Sequence, residues 1–586
     1  MAAQRTYTTH PLVLRRVTVR RVHEVTPRMR RVVLGGDQLG PFTRDGVRHP
    51  AFAAPGFDDH VKVILAADGD VRAALPAQLP HGVEWTPAEH RLTRDYTPRR
   101  VDAEAGEFDL DFVVHGDGPA AAWAASARVG DELWFVGPKS SLRLPEGLDW
   151  ILLVGDETAL PAIGRFLDER PLDVPAHVLV TVGDESARQE LALRDGDTAT
   201  WVVAEPGDAA ALEAAVRALP LPAGEGYAWA AAESRALLPV RRYLQRERKL
   251  PKDRLNITGY WHLEEAAEAG TPQAPAPEQA HIPSPLPWLA ARAAVQLGVV
   301  DAVADAPGVP LGELAARVGV PAAGIGVLLP LLTAHGVLAG DEDGLRLGAA
   351  GEELLDDHER EEYDGQEAEL LLSLAHLAPA IREGASPWER ASGATLLDAV
   401  AHDTDRYAEL VEECEQLVFL LGGLTADRLW EGAGSCLLTG PGSASVAAAL
   451  DDAGLRSRLR LRVAEDDIPA GVLRDRVPAP ERVDWTAGPA DVAVAAKSLA
   501  YRTDEEAALL LTRLAAWAPT AVVIEASRPD GLSPHAAEAA LHAYAATGSP
   551  LRDAAAIAAL ARRTGWHVDR VIPLGWGTEA TVLRRT

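Results

Sequence analysis

Cysteine is nearly absent. The 586-residue chain holds two, Cys414 and Cys436, so a disulfide framework, a cysteine-rich zinc site and a cysteine-ligated iron–sulfur cluster are excluded by count. Any electron chemistry then needs an organic cofactor. Lysine is almost as scarce, with Lys62, Lys139, Lys249, Lys252 and Lys497 the only five. No apolar run reaches the roughly 18–20 residues that span a bilayer, and residues 1–10 lack the apolar stretch of a secretory signal. The expectation is a cytoplasmic protein with no membrane partner. A formal net charge of −29 also argues against nucleic acid as a partner, since phosphate binding draws on surplus Lys and Arg.

With 47% hydrophobic and 24% charged residues, the chain can bury several cores, and its length predicts about three to five compact units. Residues 1–50 depart from the acidic background, with ten arginines against Glu24, Asp37 and Asp45. They read equally as a face that draws in an anion and as the solvated side of strands. Short β-branched runs punctuated by turns over 12–146 (Val17–Val22, Arg30–Leu34, His60–Leu65, Phe108–Val114, Glu132–Val136) predict an antiparallel barrel. Over 147–263, apolar strands such as Trp150–Val154 alternate with helical stretches, which predicts a parallel sheet. Residues 264–287, rich in Ala, Pro and Glu, read as a semi-rigid linker. Helices and a short hairpin over 288–375 give a winged-helix pattern, but its candidate reading helix, Pro321–His335, carries no Lys or Arg, which removes DNA readout. From Ser435 the β/α alternation returns, so 376–586 reads as a second doubly wound sheet.

Three segments of the first half carry chemistry. In Arg94-Asp95-Tyr96-Thr97-Pro98-Arg99 the arginine and tyrosine share one side of a strand. A guanidinium fork beside a flat ring suits a flavin nucleotide, although six residues alone also read as a charged surface strand. In Asp111-Phe112-Val113-Val114-His115-Gly116-Asp117-Gly118-Pro119-Ala120-Ala121-Ala122-Trp123 a strand runs into a glycine-rich turn with Pro119 at the first helical position and small alanines after it, so free amides face an anion. Gly137-Pro138-Lys139-Ser140-Ser141 closes the barrel.

In this order and spacing, and together with Asp59-His60-Val61-Lys62, Val154-Gly155-Asp156-Glu157-Thr158-Ala159-Leu160-Pro161-Ala162, Trp229-Ala230-Ala231-Ala232-Glu233 and Gly259-Tyr260-Trp261-His262, these segments resemble the siderophore-interacting protein family over about residues 12–262. That family comprises flavin-dependent ferric-siderophore reductases built like ferredoxin-NADP reductase. The resemblance implies FAD held by Arg94, Tyr96, Thr97, His115, Gly116, Gly118, Pro119 and Ala120. It implies NADPH or NADH at Asp156, Glu157, Thr158, Ala159, Glu233, Tyr260 and Trp261. A ferric siderophore would be met by Lys62 and Lys139, which read otherwise as flavin-phosphate contacts or surface charge. It implies no catalytic side chain and no protein-bound metal, because electron transfer centres on the flavin. Arg188, Arg241 and Arg242 are candidates to meet a 2′-phosphate or to face water. The sequence departs from the family at Lys139-Ser140-Ser141, where a glycine is common, and at Ala232, where a glycine often precedes Glu233.

The second half, about residues 286–586, is similar to dimeric S-adenosylmethionine-dependent O-methyltransferases through Leu314-Ala315-Ala316-Arg317-Val318-Gly319, Pro387-Trp388-Glu389-Arg390 and Val522-Val523-Ile524-Glu525-Ala526. The resemblance places a cofactor turn at Thr439-Gly440-Pro441-Gly442, with Leu438-Thr439 where an acid usually stands, and Glu465 or Asp466 near a ribose. It places Ala500 at the position of the histidine base, and alanine cannot take a proton from a hydroxyl. The expectation is a multidomain chain: a β-barrel FAD domain, an α/β nucleotide domain, an all-α winged-helix region that forms a homodimer, and a degenerate Rossmann-like methyltransferase fold. An organic-acceptor reductase with an active methyltransferase half is the alternative.

Overall fold

The computed structural model describes all residues except 1–6, 68, 115–117, 264–283, 465–470 and 534–535; most of the linker call, and Glu465 and Asp466, lie outside the described residues. The chain divides into two compact units, Met1–Leu144 with Leu370–Thr586, and Pro145–Glu369.

In the first unit, seven antiparallel strands (Leu14–Thr26, Met29–Gly35, Val61–Ala66, Arg91–Tyr96, Pro98–Asp102, Glu107–Val113 and Glu132–Val136) lie in the order 5-6-2-1-7-3-4 by appearance. The fourth and fifth strands occupy opposite edges of this order, yet one residue, Thr97, joins them in the chain. The sheet must therefore curl on itself, which is the barrel expected from the strand pattern. Alternate positions point inward, so Val17, Val19, Val32, Leu34, Val61, Val63, Phe108, Leu110 and Phe112 form one core. The basic N-terminal segment is largely structural. Arg15 is buried and donates to the carbonyls of Gln38 and Pro50; Arg16 pairs with Glu132 at 3.0 Å, Arg21 with Glu107 at 2.6 Å and Arg31 with Asp111 at 2.6 Å. These arginines tie strand to strand.

The rest of that unit holds a six-stranded sheet of order 2-1-3-4-6-5, in which Thr578–Arg585 inserts antiparallel between Thr520–Ala526 and Trp566–Gly575 while the others run parallel. Both faces are covered. Cys436 and Leu438 enter one core with Val446 and Leu450 of the helix Ser443–Asp452, and Leu437 enters another with Leu510, Leu511 and Leu514 of the helix Asp504–Trp517. Thr503 and Glu506 start the latter helix with a reciprocal cap, each side chain accepting the other's backbone N–H.

Barrel and six-stranded sheet are joined inside this unit. Glu84, buried, pairs with Arg528 at 2.7 Å and accepts the Gly577 amide at 3.3 Å. Trp85, also buried, lies 6.5 Å from the Trp576 ring, and Leu532 and Trp576 complete the cluster of Leu12, Leu14, Ile64, Val83 and Trp134. A Cβ on Gly531 would overlap the Trp85 carbonyl.

The second unit carries a five-stranded parallel sheet (Trp150–Gly155, Ala176–Val182, Thr198–Val203, Gly226–Glu233, Leu255–Trp261) of order 3-2-1-4-5. Every residue of Trp150–Gly155 and Gly226–Glu233 is buried, as expected for central strands covered on both faces. Farther along, the helices Leu286–Gln296, Val299–Asp305, Leu311–Val318 and Ala322–Ala334 close around Val299, Leu314, Ile325 and the hairpin residue Leu345. Among the described residues no single helix is long and apolar enough to cross a membrane.

Glu84→Ala removes the carboxylate and leaves the Gly577 amide and Arg528 unpartnered. It is expected to destabilise the first unit by about 2 kcal/mol and lower its melting midpoint by about 5 °C, and Gly531→Ala to do the same by overlap. Melting curves superimposable on wild type would remove this joint from the account.

Candidate functional site

Thr97 is buried and Arg94 exposed, with the Arg94 guanidinium donating to its neighbour's carbonyl at 2.8 Å. The register pairs Val63 with Arg94 and Val61 with Tyr96, so both candidate side chains leave the barrel's inward face, while Lys62 and Asp95 leave the other. Tyr96 lies 4.4 Å from the Phe112 ring, and Phe112 lies 5.6 Å from Trp123 on the helix Pro119–Ser126. Three rings thus connect the Arg-x-Tyr strand to the glycine-turn helix. Neither Phe112 nor Trp123 was singled out by the sequence reading as a site residue. Burial pushes the Tyr96 phenol up to about 12, with Arg94 opposing, so it stays a neutral donor at physiological pH.

The helix Pro119–Ser126 begins on Gly118 with no side-chain cap and Pro119 in its first turn, and a Cβ on Gly118 would meet nothing within 4 Å. Uncapped amides next to open space suit a pyrophosphate. With the exposed Arg94 fork and the backed Tyr96 ring, the residues fit a flavin dinucleotide. Ala120 is buried behind the turn. His115 and Gly116 lie outside the described residues.

Lys62 and Lys139 stand near each other but differ in partner. Lys62 Nζ bonds both oxygens of Asp95, at 2.9 and 3.0 Å. Lys139 Nζ donates to Gln416 Oε1 at 3.0 Å and lies 5.1 Å from the Phe419 ring centroid; burial lowers its pKa, Asp95 opposing. Ser141 donates to Asp59 at 2.7 Å and meets His10 Nε2 at 2.7 Å.

In the second unit, Asp156, Glu233 and Trp261 come together at the carboxyl ends of three adjacent strands. Open α/β sheets bind ligands where their order reverses, here between Trp150–Gly155 and Gly226–Glu233. Asp156 accepts from Thr158 N at 2.8 Å, Thr158 Oγ1 at 2.5 Å, Trp261 Nε1 at 2.7 Å and Glu233 N at 3.1 Å. Burial raises its pKa, and these donors pull it back down. Glu233 accepts from Ala236 N at 2.8 Å and Leu263 N at 3.1 Å, Glu157 from Gly183 N at 2.9 Å, and Tyr260 sits edge-on to Trp229 at 6.3 Å. A Cβ on Gly155 would overlap Ala159, so the strand must end in glycine for this turn to fold back. Two phosphate candidates are otherwise engaged: Arg241 pairs with Asp356 and Arg242 with Glu352, beside Arg235–Glu353 at 2.8 Å. Both therefore have a carboxylate neighbour while staying partly exposed. Arg188 is exposed beside Glu185 at 2.8 Å.

At the six-stranded sheet's glycine turn, Gly440 has φ +92 and a Cβ there would overlap Ser498, while one on Gly442 would come within 2.9 Å of Leu417 Cδ2. Ala500 is exposed. The buried arginines beside it serve the backbone: Arg502 donates to Ser498 O at 2.6 Å, and Arg552 to Leu499 O and Arg502 O at 2.7 Å each.

A curled antiparallel barrel with these flavin-type motifs, and a five-stranded α/β domain after it in sequence, define an FAD-binding oxidoreductase. The chain belongs to the siderophore-interacting protein family: the siderophore-interacting FAD-binding domain model matches residues 18–142 and the siderophore-interacting protein model residues 148–264. It is 32% identical over 254 residues to the NADPH-dependent ferric-chelate reductase of Escherichia coli (strain K12), which covers 43% of this chain and 94% of that protein. It is 30% identical to the ferric vibriobactin reductase ViuB of Vibrio cholerae, covering 42% of this chain and 88% of the relative. Similar solved structures include a siderophore utilization protein from T. fusca (35% identity, 44% and 96% covered, TM-score 0.41) and the O-methyltransferase NcsB1 from neocarzinostatin biosynthesis (22% identity, 52% and 97% covered, TM-score 0.42).

Tyr96→Ala removes the first ring of the connecting three. It is expected to raise the FAD dissociation constant about tenfold or more, read as loss of flavin absorbance in the purified protein. Full flavin occupancy would overturn the placement of FAD on Tyr96.

Proposed function

We propose that this protein is an NADPH-dependent, FAD-containing reductase of ferric siderophores that releases iron as Fe(II). The single observation that carries the reading is the ring contact Tyr96–Phe112–Trp123, which brings the Arg94-Tyr96-Thr97 strand and the uncapped Gly118-Pro119-Ala120 helix start into one site. The likeness to the NADPH-dependent ferric-chelate reductase of E. coli supports it. FAD held there would supply hydride acceptance from the nicotinamide cofactor and one-electron transfer to ferric iron.

The chain's own residues bind and orient. Arg94 forks onto flavin phosphate, the Gly118 and Ala120 amides meet the pyrophosphate, His115, Gly116 and Thr97 serve the same cofactor, and Tyr96 presents a neutral ring and hydroxyl. Asp156 clamps Glu233 and Trp261 into one rim, which with Glu157, Thr158, Ala159 and Tyr260 receives the nicotinamide cofactor. Arg188, exposed beside Glu185, is a candidate to meet a 2′-phosphate. Lys62 and Lys139 attract a multiply charged ferric complex and leave the redox step to the cofactor.

The domains are those of the sequence boundaries, 12–146, 147–263, 288–375 and 376–586, with the third a winged-helix homodimerisation region, in a cytoplasmic protein. The methyltransferase-like half transfers no methyl group. Its residues do not fit S-adenosylmethionine-dependent methyl transfer: Leu438-Thr439 stands where the resemblance expects the acid and Ala500 where it expects the base.

The test is anaerobic: FAD-loaded protein, NADPH or NADH, and a ferric siderophore, following flavin absorbance and chelator-trapped Fe(II) together. Flavin turnover with iron release is expected; flavin bleached by nucleotide and left reduced by every iron complex would overturn the reading. Lys62→Ala should raise KM for an anionic ferric complex about threefold to tenfold, because it also leaves Asp95 unpaired, and the wild-type rate should fall as salt rises. A KM and salt response unchanged from wild type would remove Lys62 from the acceptor site.

A further inference from the structure

The short helical segment Glu415–Leu420 follows the helix Thr404–Glu413 and has two working faces. One lies on the glycine turn of the six-stranded sheet, through Leu417 against Gly442 and through the Cys414 carbonyl, which accepts from Ser445 Oγ at 2.7 Å. The other lies on the barrel. Gln416 Oε1 accepts from Lys139 Nζ at 3.0 Å, the Phe419 ring lies 5.1 Å from that ammonium, and Tyr7 meets Phe419 edge-on at 6.3 Å. Barrel and segment belong to the same compact unit.

Partner chemistry separates the two lysines. Asp95 bonds Lys62 directly through both oxygens, whereas among the described residues Lys139 pairs with no carboxylate. An amide oxygen and an aromatic face hold an ammonium by dipole and quadrupole, fixing where it points without neutralising it. A cation partly withdrawn from water, fixed in place and not bonded directly to a carboxylate, attracts an anion more strongly than a solvated lysine does.

Building on the reading of Lys139 as an acceptor-binding residue, we propose that Gln416 and Phe419 are positioning residues of the reductase's iron-complex site. They fix the Lys139 ammonium for an anionic ferric chelate, and the methyltransferase-like half thereby supplies one wall of that site. The fused half then selects acceptors by charge.

The test uses the full-length, FAD-loaded protein with saturating NADPH and two acceptors of opposite charge, ferric-EDTA (a monoanion) and ferrioxamine B (a monocation). The readout is the ratio of their kcat/KM values. Gln416→Glu places a carboxylate on the ammonium at nearly constant size and is expected to lower the anion-to-cation ratio about tenfold, mostly through the KM for ferric-EDTA. Phe419→Leu keeps an apolar filler without the ring quadrupole and is expected to lower it about threefold. A merely structural role would slow both acceptors alike. The proposal is overturned if both variants keep the wild-type ratio while Lys139→Ala lowers it, which would leave Lys139 at the acceptor site without its two supports. A wild-type ratio in Lys139→Ala itself overturns the acceptor reading of that lysine and the proposal with it.

Discussion

A buried carboxylate is what makes the first unit one body. Glu84 sits beneath the surface with Arg528 and the Gly577 amide as its partners, and removing a charge this deep from water is unfavourable unless both partners are in place. Those partners belong to the six-stranded sheet, 444 and 493 positions along the chain. Trp85 follows it into a pocket that Trp576 and Leu532 complete. Geometry at a barrel lysine is therefore set by residues of the C-terminal half, and the charge-selective wall at Lys139 follows from this joint.

A second carboxylate plays the corresponding role in the other unit. Asp156 gathers donors from its own turn, from Glu233 and from Trp261, so the ends of three strands are fixed by one side chain. Each new contact there is a hydrogen bond to a group already buried, which makes the rim rigid where the sheet order reverses. The arginines Arg235, Arg241 and Arg242 face carboxylates of the 352–356 stretch.

Legibility in the sequence tracked the distance over which an effect acts. Short β-branched runs punctuated by turns placed the barrel strands, and a continuous apolar run placed Trp150–Val154, because burial acts residue by residue. The Arg94-x-Tyr96 motif and the Gly118-Pro119 helix start were readable for the same reason. What escaped was pairing. Phe112 and Trp123 look like ordinary core residues until Tyr96 lies on them, Glu352 and Asp356 look like solvated acids until Arg242 and Arg241 reach them, and Gln416 is 277 positions from Lys139. No local window holds both partners of such contacts, and no composition statistic ranks one exposed glutamine over another.

The order of the units along the chain has a consequence for synthesis. The second unit, Pro145–Glu369, is an insertion within the first, so the barrel leaves the ribosome with Glu84 uncompensated and the face around Trp85 bare. Its partner amide lies 493 residues downstream, and at about 5–20 residues per second it arrives about half a minute to a minute and a half later. During that interval the nascent barrel presents an aromatic patch and a half-made ion pair, a natural client surface for a holding chaperone. Codon usage through the inserted unit thus sets how long the protein's most adhesive face waits for its cover.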